Sequence, residues 1–252
     1  MKIKKTVDLT EGSIPKKLLL FALPLMAGNI LQQLYNIVDT VVVGKYLGED
    51  ALAAVGSAYT IMILITSVII GLCMGSSVYC SVKFGQKDET GIRQSFFISF
   101  IGIFVVTAVL IALAYALLYP LIYLLNIPAE IQTMFRNYML AVFAGIFAIF
   151  LYNIFANLLR AVGNSVIPLV FLAVSAVTNI ALDLLFILQF KWGVVGAAAA
   201  TVIAQYLSGI GIMIYYFVSG GNLRVKKADM KWDKKIFKEL ASLSSLTCIQ
   251  QS

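Results

Sequence analysis

The chain has 252 residues, 61% of them hydrophobic and only 12% charged, with a net charge of +7 and no histidine. The intervals Leu18–Val38, Ala51–Val82, Gln94–Ala129, Asn137–Leu159, Ala161–Leu182 and Trp192–Leu223 carry no charge, and each reaches the ~20 apolar residues that a membrane helix requires. Such runs exclude a β-barrel, whose ~10-residue strands alternate in polarity, and leave an all-α integral membrane fold, since backbone groups in hydrocarbon must be paired within the segment.

The first span follows Pro15-Lys16-Lys17, contains Pro24 and Gly28, and closes near Gly44-Lys45-Tyr46-Leu47-Gly48. A proline inside a helix removes a hydrogen bond and invites a kink. The second span, Ala51 to about Val82, holds Gly71-x-x-x-Gly75, a small-residue spacing that permits close helix approach. A third is predicted from about Gln94 to Tyr119, with Pro120 and Asn126-Ile127-Pro128 forming the outer turn. A fourth follows from about Ile131 to Arg160, a fifth from Val166 to Gln189 and a sixth from Val194 to Ser219. Cys73, Cys80 and Cys248 lack metal-ligand spacing and read as packing thiols. No cleavable signal peptide is evident, because the first apolar run is too long for a signal h-region.

Basic residues fall on alternate connections. Sixteen of the nineteen lie in the N-terminal tail, the second loop (Lys83, Lys87, Arg93), the fourth (Arg160) and the sixth (Arg224 to Lys238); Lys45, Arg136 and Lys191 lie on the other side. The positive-inside rule then places the N-terminus and the sixth loop in the cytoplasm. Orientation accounts for the net charge, so a nucleic-acid partner is not expected and the partner is the lipid bilayer of the cell membrane.

The domain reading is a cytoplasmic tail over 1–17, a six-helix transmembrane lobe over 18–219, a basic linker over 220–235 and the start of a seventh helix over 236–252. A weak repeat supports it. At an offset of 218, Ile14–Gln33 lies without gaps over Trp232–Gln251, with the Lys-Lys and Gln-Gln pairs coincident and Ser242 replacing Pro24. A second copy would enter from the same side as the first, so the two would be parallel repeats.

Polar residues mark one face of several spans. In the first, Asn29, Gln32, Gln33, Asn36, Asp39 and Thr40 fall within an arc of roughly 120°. Asn153, Asn157 and Arg160 do so in the fourth, Ser175, Thr178, Asn179 and Asp183 in the fifth, and Thr201, Gln205 and Ser208 in the sixth. For any single Ser or Thr, hydrogen bonding between helices is sufficient reason. Asp39 and Asp183 are different, because no cation lies nearby in sequence, and an ionisable group at membrane depth costs at least ~2.5–3.5 kcal/mol on insertion scales. Asp39 lies six residues before Lys45 and Asp183 eight before Lys191, so both occupy the outer half at similar depth and could meet. A proton or a small alkali cation would neutralise the pair, with the Asn179 amide oxygen and Thr201 hydroxyl as further hard ligands.

The stretch LPLMAGNILQQLYNIVDTVVVGKYLGEDALAAVG, residues 23–56, resembles the first helix and loop of multidrug and toxic compound extrusion (MATE) transporters. Gly85-Gln86-Lys87, Leu159-Arg160-Ala161-Val162-Gly163-Asn164 and Asn179-x-x-x-Asp183 extend the resemblance, which covers one lobe of a twelve-helix, two-lobe family. It implies cation-coupled export of drug-like, often cationic, organic compounds by alternating access, with a second six-helix lobe as partner, H⁺ or Na⁺ as coupling ion and no other cofactor. In the DinF-type branch the cation or proton site falls on Asp39, Asn179, Asp183 and Thr201. The flexible proline falls on Pro24, and the cavity lining on Gln32, Tyr35 and Asn153, to which the polar stripes add Asn36, Asn157 and Gln205. The alternatives are a lipid-linked sugar flippase of the same superfamily, which would need cavity cations for pyrophosphate, an intramembrane enzyme, for which no nucleophile–base spacing exists, and a non-transporting half-unit.

Overall fold

The computed structural model describes residues 14–251, all in helices and short turns. Eight α-helices follow in order: α1 (Ile14–Leu47), α2 (Glu49–Gly85), α3 (Glu89–Leu124), α4 (Ala129–Phe143), α5 (Ile146–Ala161), α6 (Val166–Leu184), α7 (Gly193–Ser219) and α8 (Lys234–Gln251). Helices α1, α2, α3, α6 with its following turn, and α7 are each long and apolar enough to cross a membrane, and α4 with α5 makes a sixth crossing. The six-span lobe expected from the sequence is thus present. The first thirteen residues of the expected tail lie outside the described residues.

The fourth crossing is bent by about 40° rather than continuous. At the break Ala144 and Gly145 donate to Ala141 O and Val142 O, three residues back, and Ile149 N resumes the α pattern onto Gly145 O at 3.0 Å. A Cβ on Gly145 would lie 2.7 Å from Gln205 Oε1 and 3.1 Å from Val142 O, so a side chain there would need the end of Gln205 to turn away. The Ala144 carbonyl accepts the Tyr206 hydroxyl at 3.0 Å, which keeps that acceptor paired where the ladder opens.

Two sequence boundaries are corrected. Pro120 lies inside α3, and the outer turn comes after Leu124, where Asn126 adopts φ 47°. A proline in the last turns removes only one donor, so the helix continues past it. Arg93, assigned above to the second loop, lies one turn inside α3, which starts at Glu89 with the Asp88 carboxylate accepting from Gly91 N at 2.8 Å.

The core is aromatic where α3, α5 and α7 meet. Phe96 packs on Phe155 at 5.5 Å and on Tyr216 at 5.3 Å between ring centroids, and Phe100 packs on Phe150 at 5.3 Å. Helix α1 lies at the periphery, seated mainly on α6, with Leu19, Met26, Ile30 and Ile37 exposed along it. So peripheral a helix can shift with little loss of packing.

The sixth connection is folded. Arg93 Nε donates to Asp229 Oδ2 at 2.7 Å and Arg93 Nη1 to Asn222 O at 3.0 Å, while the Tyr216 hydroxyl donates to Leu223 O and accepts from Val225 N. Beyond it, α8 lies in the small-residue groove of α2: a Cβ on Gly71 would meet the Cys248 Cα at 2.7 Å. Thr247 Oγ1 donates to Gly71 O at 2.6 Å and Ser244 Oγ to Leu72 O at 3.3 Å. The Gly71-x-x-x-Gly75 spacing therefore serves close packing, as its chemistry suggested. Helices α1 and α8 begin within two residues of equivalence in the 218 offset.

Candidate functional site

Asn179 and Asp183 stand one turn apart on α6 and are 2% and 0% exposed, so both present to the same side of the helix. Asn179 Nδ2 donates to the Thr201 hydroxyl on α7 at 3.2 Å, and Ser175 Oγ donates to Ala204 O at 2.9 Å. These two bonds fix α6 against α7. Directly after Leu184 the chain widens into one π turn, Leu185–Gln189, a feature common at functional sites.

Asp39, half-buried on α1, brings its carboxyl to hydrogen-bonding range of Asp183. Two ionised carboxylates have no hydrogen to share, and Asp39 Oδ1, both Asp183 oxygens and Asn179 Oδ1 are buried without a hydrogen-bond partner among the described residues. None of the ion pairs among the described residues involves either aspartate. The result is a cluster of buried oxygens from α1 and α6, with surplus negative charge, beside the Thr201 hydroxyl of α7. Such a cluster demands a proton or a hard cation.

Beside Asp39 opens a cavity of about 360 Å³ lined by Gln33, Asn36, Asp39, Thr40, Tyr59 and Tyr138, with apolar walls from Val41, Leu52 and Val55. Of the six lining residues expected, only Asn36 borders this cavity. Gln33 does so in place of Gln32, which is exposed elsewhere on α1. Tyr35 lies within electrostatic reach of Asp39. Asn153 and Asn157 donate back to Ile149 O and Asn153 O on their own helix, and Gln205 packs at the Gly145 break. Pro24 lies inside α1, fifteen residues before Asp39, or roughly 22 Å at the helical rise.

Sequence reasoning missed Tyr138. From α4 it lies within electrostatic reach of both carboxyls and of Tyr35, and it borders the cavity. The fourth span was read as one helix, and the break at 144–145 shifts the phase of everything before it. A buried tyrosine needing a partner for its hydroxyl was the available signal.

A bundle of membrane helices with a buried carboxylate pair beside a polar cavity defines the class as a membrane transporter lobe. Comparison with known proteins gives the family: the MatE family model matches residues 24–185, and the chain belongs to the MATE family, whose members are transporters and not enzymes. It is 33% identical over 216 residues to the "Probable multidrug resistance protein YpnP" of Bacillus subtilis, covering 84% of this chain and 47% of that protein. To "Probable multidrug resistance protein YoeA" of the same organism it is 31% identical, covering 90% and 48%. Among solved structures it resembles an outward-facing multidrug resistance MATE family transporter of the MOP superfamily, at TM-score 0.92 and 25% identity, over 100% of this chain and 56% of that one. The chain thus spans about half the length of the relatives it matches.

Proposed function

We propose that this lobe couples an ion to the export of drug-like, cationic organic compounds by alternating access against a second six-helix lobe, in the plasma membrane with its N-terminus cytoplasmic. The observation that carries the reading is the Asp39–Asp183 pair, of which Asp39 Oδ1 and both Asp183 oxygens, with Asn179 Oδ1, are buried and unpaired among the described residues. The pair, with Asn179 and Thr201, takes up the ion. Its charge changes with occupancy, and that change shifts the balance between the two states of the transporter. H⁺ is favoured over Na⁺, because two facing carboxyl groups can share one proton between them.

The cavity next to Asp39 presents amides, hydroxyls and two phenols but no lysine or arginine. That lining suits a cationic or neutral amphiphile and disfavours a pyrophosphate-linked lipid. The test is to express the full transporter with Asp39→Asn or Asp183→Asn at equal levels. An amide cannot alternate between charged and neutral forms, so each variant should lose drug resistance and pH-driven efflux in proteoliposomes. Full resistance in either variant would remove the coupling role.

A further inference from the structure

We propose that residues 224–238 form a fixed docking platform for anionic phospholipid headgroups of the cytoplasmic leaflet; the choice of leaflet rests on the orientation reading above. The segment carries Arg224, Lys226, Lys227, Lys231, Lys234, Lys235 and Lys238, seven cations in fifteen residues. All seven are exposed. The two acids among them are already engaged, Asp229 with Arg93 at 2.7 Å and Asp233 with the backbone N–H groups of Lys235 and Ile236. No lysine of the segment forms an ion pair among the described residues.

Topology alone explains the sign of this charge. It does not explain why the segment is folded. A tether between two lobes needs only slack chain, yet Arg93 and Tyr216 hold 222–229 against the ends of α3 and α7 through Asn222 O, Leu223 O, Val225 N and Asp229. Asn222 Nδ2 adds a bond to Glu89 at 3.3 Å. Like charges held in a fixed array repel one another, and a negatively charged surface relieves that repulsion without further ordering of the chain. The segment leaves the membrane-spanning α7 directly, so its nearest extended anion is the lipid surface, and clusters of four to eight basic residues at such a position attract anionic lipids. Met230 and Trp232, each 51% exposed, stand within the same stretch, and tryptophan favours the headgroup layer.

The experiment uses the full-length transporter in nanodiscs of mixed phosphatidylglycerol and phosphatidylcholine, with the annular lipid quantified after brief delipidation. The wild type should retain phosphatidylglycerol several-fold over its bulk share, less so at high salt. Changing Lys226, Lys227, Lys231, Lys234 and Lys235 together to Gln should bring retention to the bulk ratio, and the same five changed to Arg should keep it. Equal retention of the two lipids by the wild type, or unchanged preference in the Gln variant, would overturn the platform. So would an oligonucleotide that displaces phosphatidylglycerol at equal phosphate concentration, since the surface would then be nonspecifically polyanionic. Should the Gln variant fold poorly, salt dependence and oligonucleotide competition on the wild type decide alone. Orientation is checked separately by labelling Ala228→Cys in intact cells with an impermeant thiol reagent. Labelling from outside would overturn the leaflet assignment, while the nanodisc result, with both faces open, judges the headgroup binding itself.

Discussion

Arg93 and Asp229, 136 positions apart in sequence, meet at 2.7 Å where each is only 7% exposed. Removing one partner of a buried pair strands the other, at a cost of about 3–5 kcal/mol. Arg93→Met should therefore lower the thermal midpoint of the detergent-solubilised transporter markedly, and the double change Arg93→Met with Asp229→Leu should recover much of it. An unchanged midpoint in the single variant would show that the pair holds nothing.

The same pair sets an acid limit. The hydrogen bond from Arg93 holds the Asp229 carboxyl below the usual carboxylate range, so the folded state binds that proton less readily than the unfolded chain. The stabilisation is present in full above the ordinary carboxylate value of about 3.9 and is lost as pH falls through the lower, native value. Thermal midpoints measured from pH 6 downward should fall more steeply below about pH 4 in the wild type than in the Arg93→Met, Asp229→Leu double variant. Parallel curves would remove Asp229 from the acid response.

A substitution at Thr201 distinguishes the two proposed coupling ions. The Thr201 hydroxyl accepts the Asn179 N–H at 3.2 Å, so its oxygen is positioned rather than free to turn. If the pair takes H⁺, Thr201→Ala should leave pH-driven efflux largely intact while the aspartate variants lose it. Transport driven only by a sodium gradient, and abolished equally by Thr201→Ala, would overturn the proton reading.

Pro24 lies inside the least buried crossing, and an alanine there restores a backbone donor and stiffens α1. Turnover in Pro24→Ala should fall several-fold while substrate affinity changes little, measured in the intact transporter. Normal turnover would leave rigid rocking of the lobes as the simpler account.

Gly71 is the close-approach point of α2 and α8, where a Cβ would meet Cys248 N at 2.9 Å. Gly71→Leu should force the helices apart at about 1–3 kcal/mol, the usual cost of overpacking, and lower the thermal midpoint. Wild-type stability would mean that α8 seats elsewhere.

Crossings and the carboxylate pair were legible because both rest on local periodicity: charge-free runs give the spans, and the four-residue step from Asn179 to Asp183 puts both on one face. Similar distances, six residues from Lys45 and eight from Lys191, were enough to bring Asp39 and Asp183 to a similar depth. The partner of Arg93 was not legible, since no local rule links residues 136 apart. The break at Gly145 hid inside an apolar run, because the residues that crowd it, Gln205 and Val202, come from another helix. With the break went the phase of α4 and hence Tyr138. The substitution of Gln33 for Gln32 at the cavity is a 100° choice on one polar arc, too fine for a stripe that broad.

The Tyr206 hydroxyl that donates to the Ala144 carbonyl belongs to α7, which is synthesised after both halves of the bent crossing. Until α7 arrives, that carbonyl faces lipid or a straight helix with its own N–H partner restored, and lipid offers it nothing. The bend at 144–145 thus draws on a partner that arrives only with the sixth crossing, and it is expected to be completed when that helix docks. A chain stalled on the ribosome before residue 206 should show amide exchange and helix length typical of a single straight span through 144 and 145, and acquire the elbow only with the later helix in place.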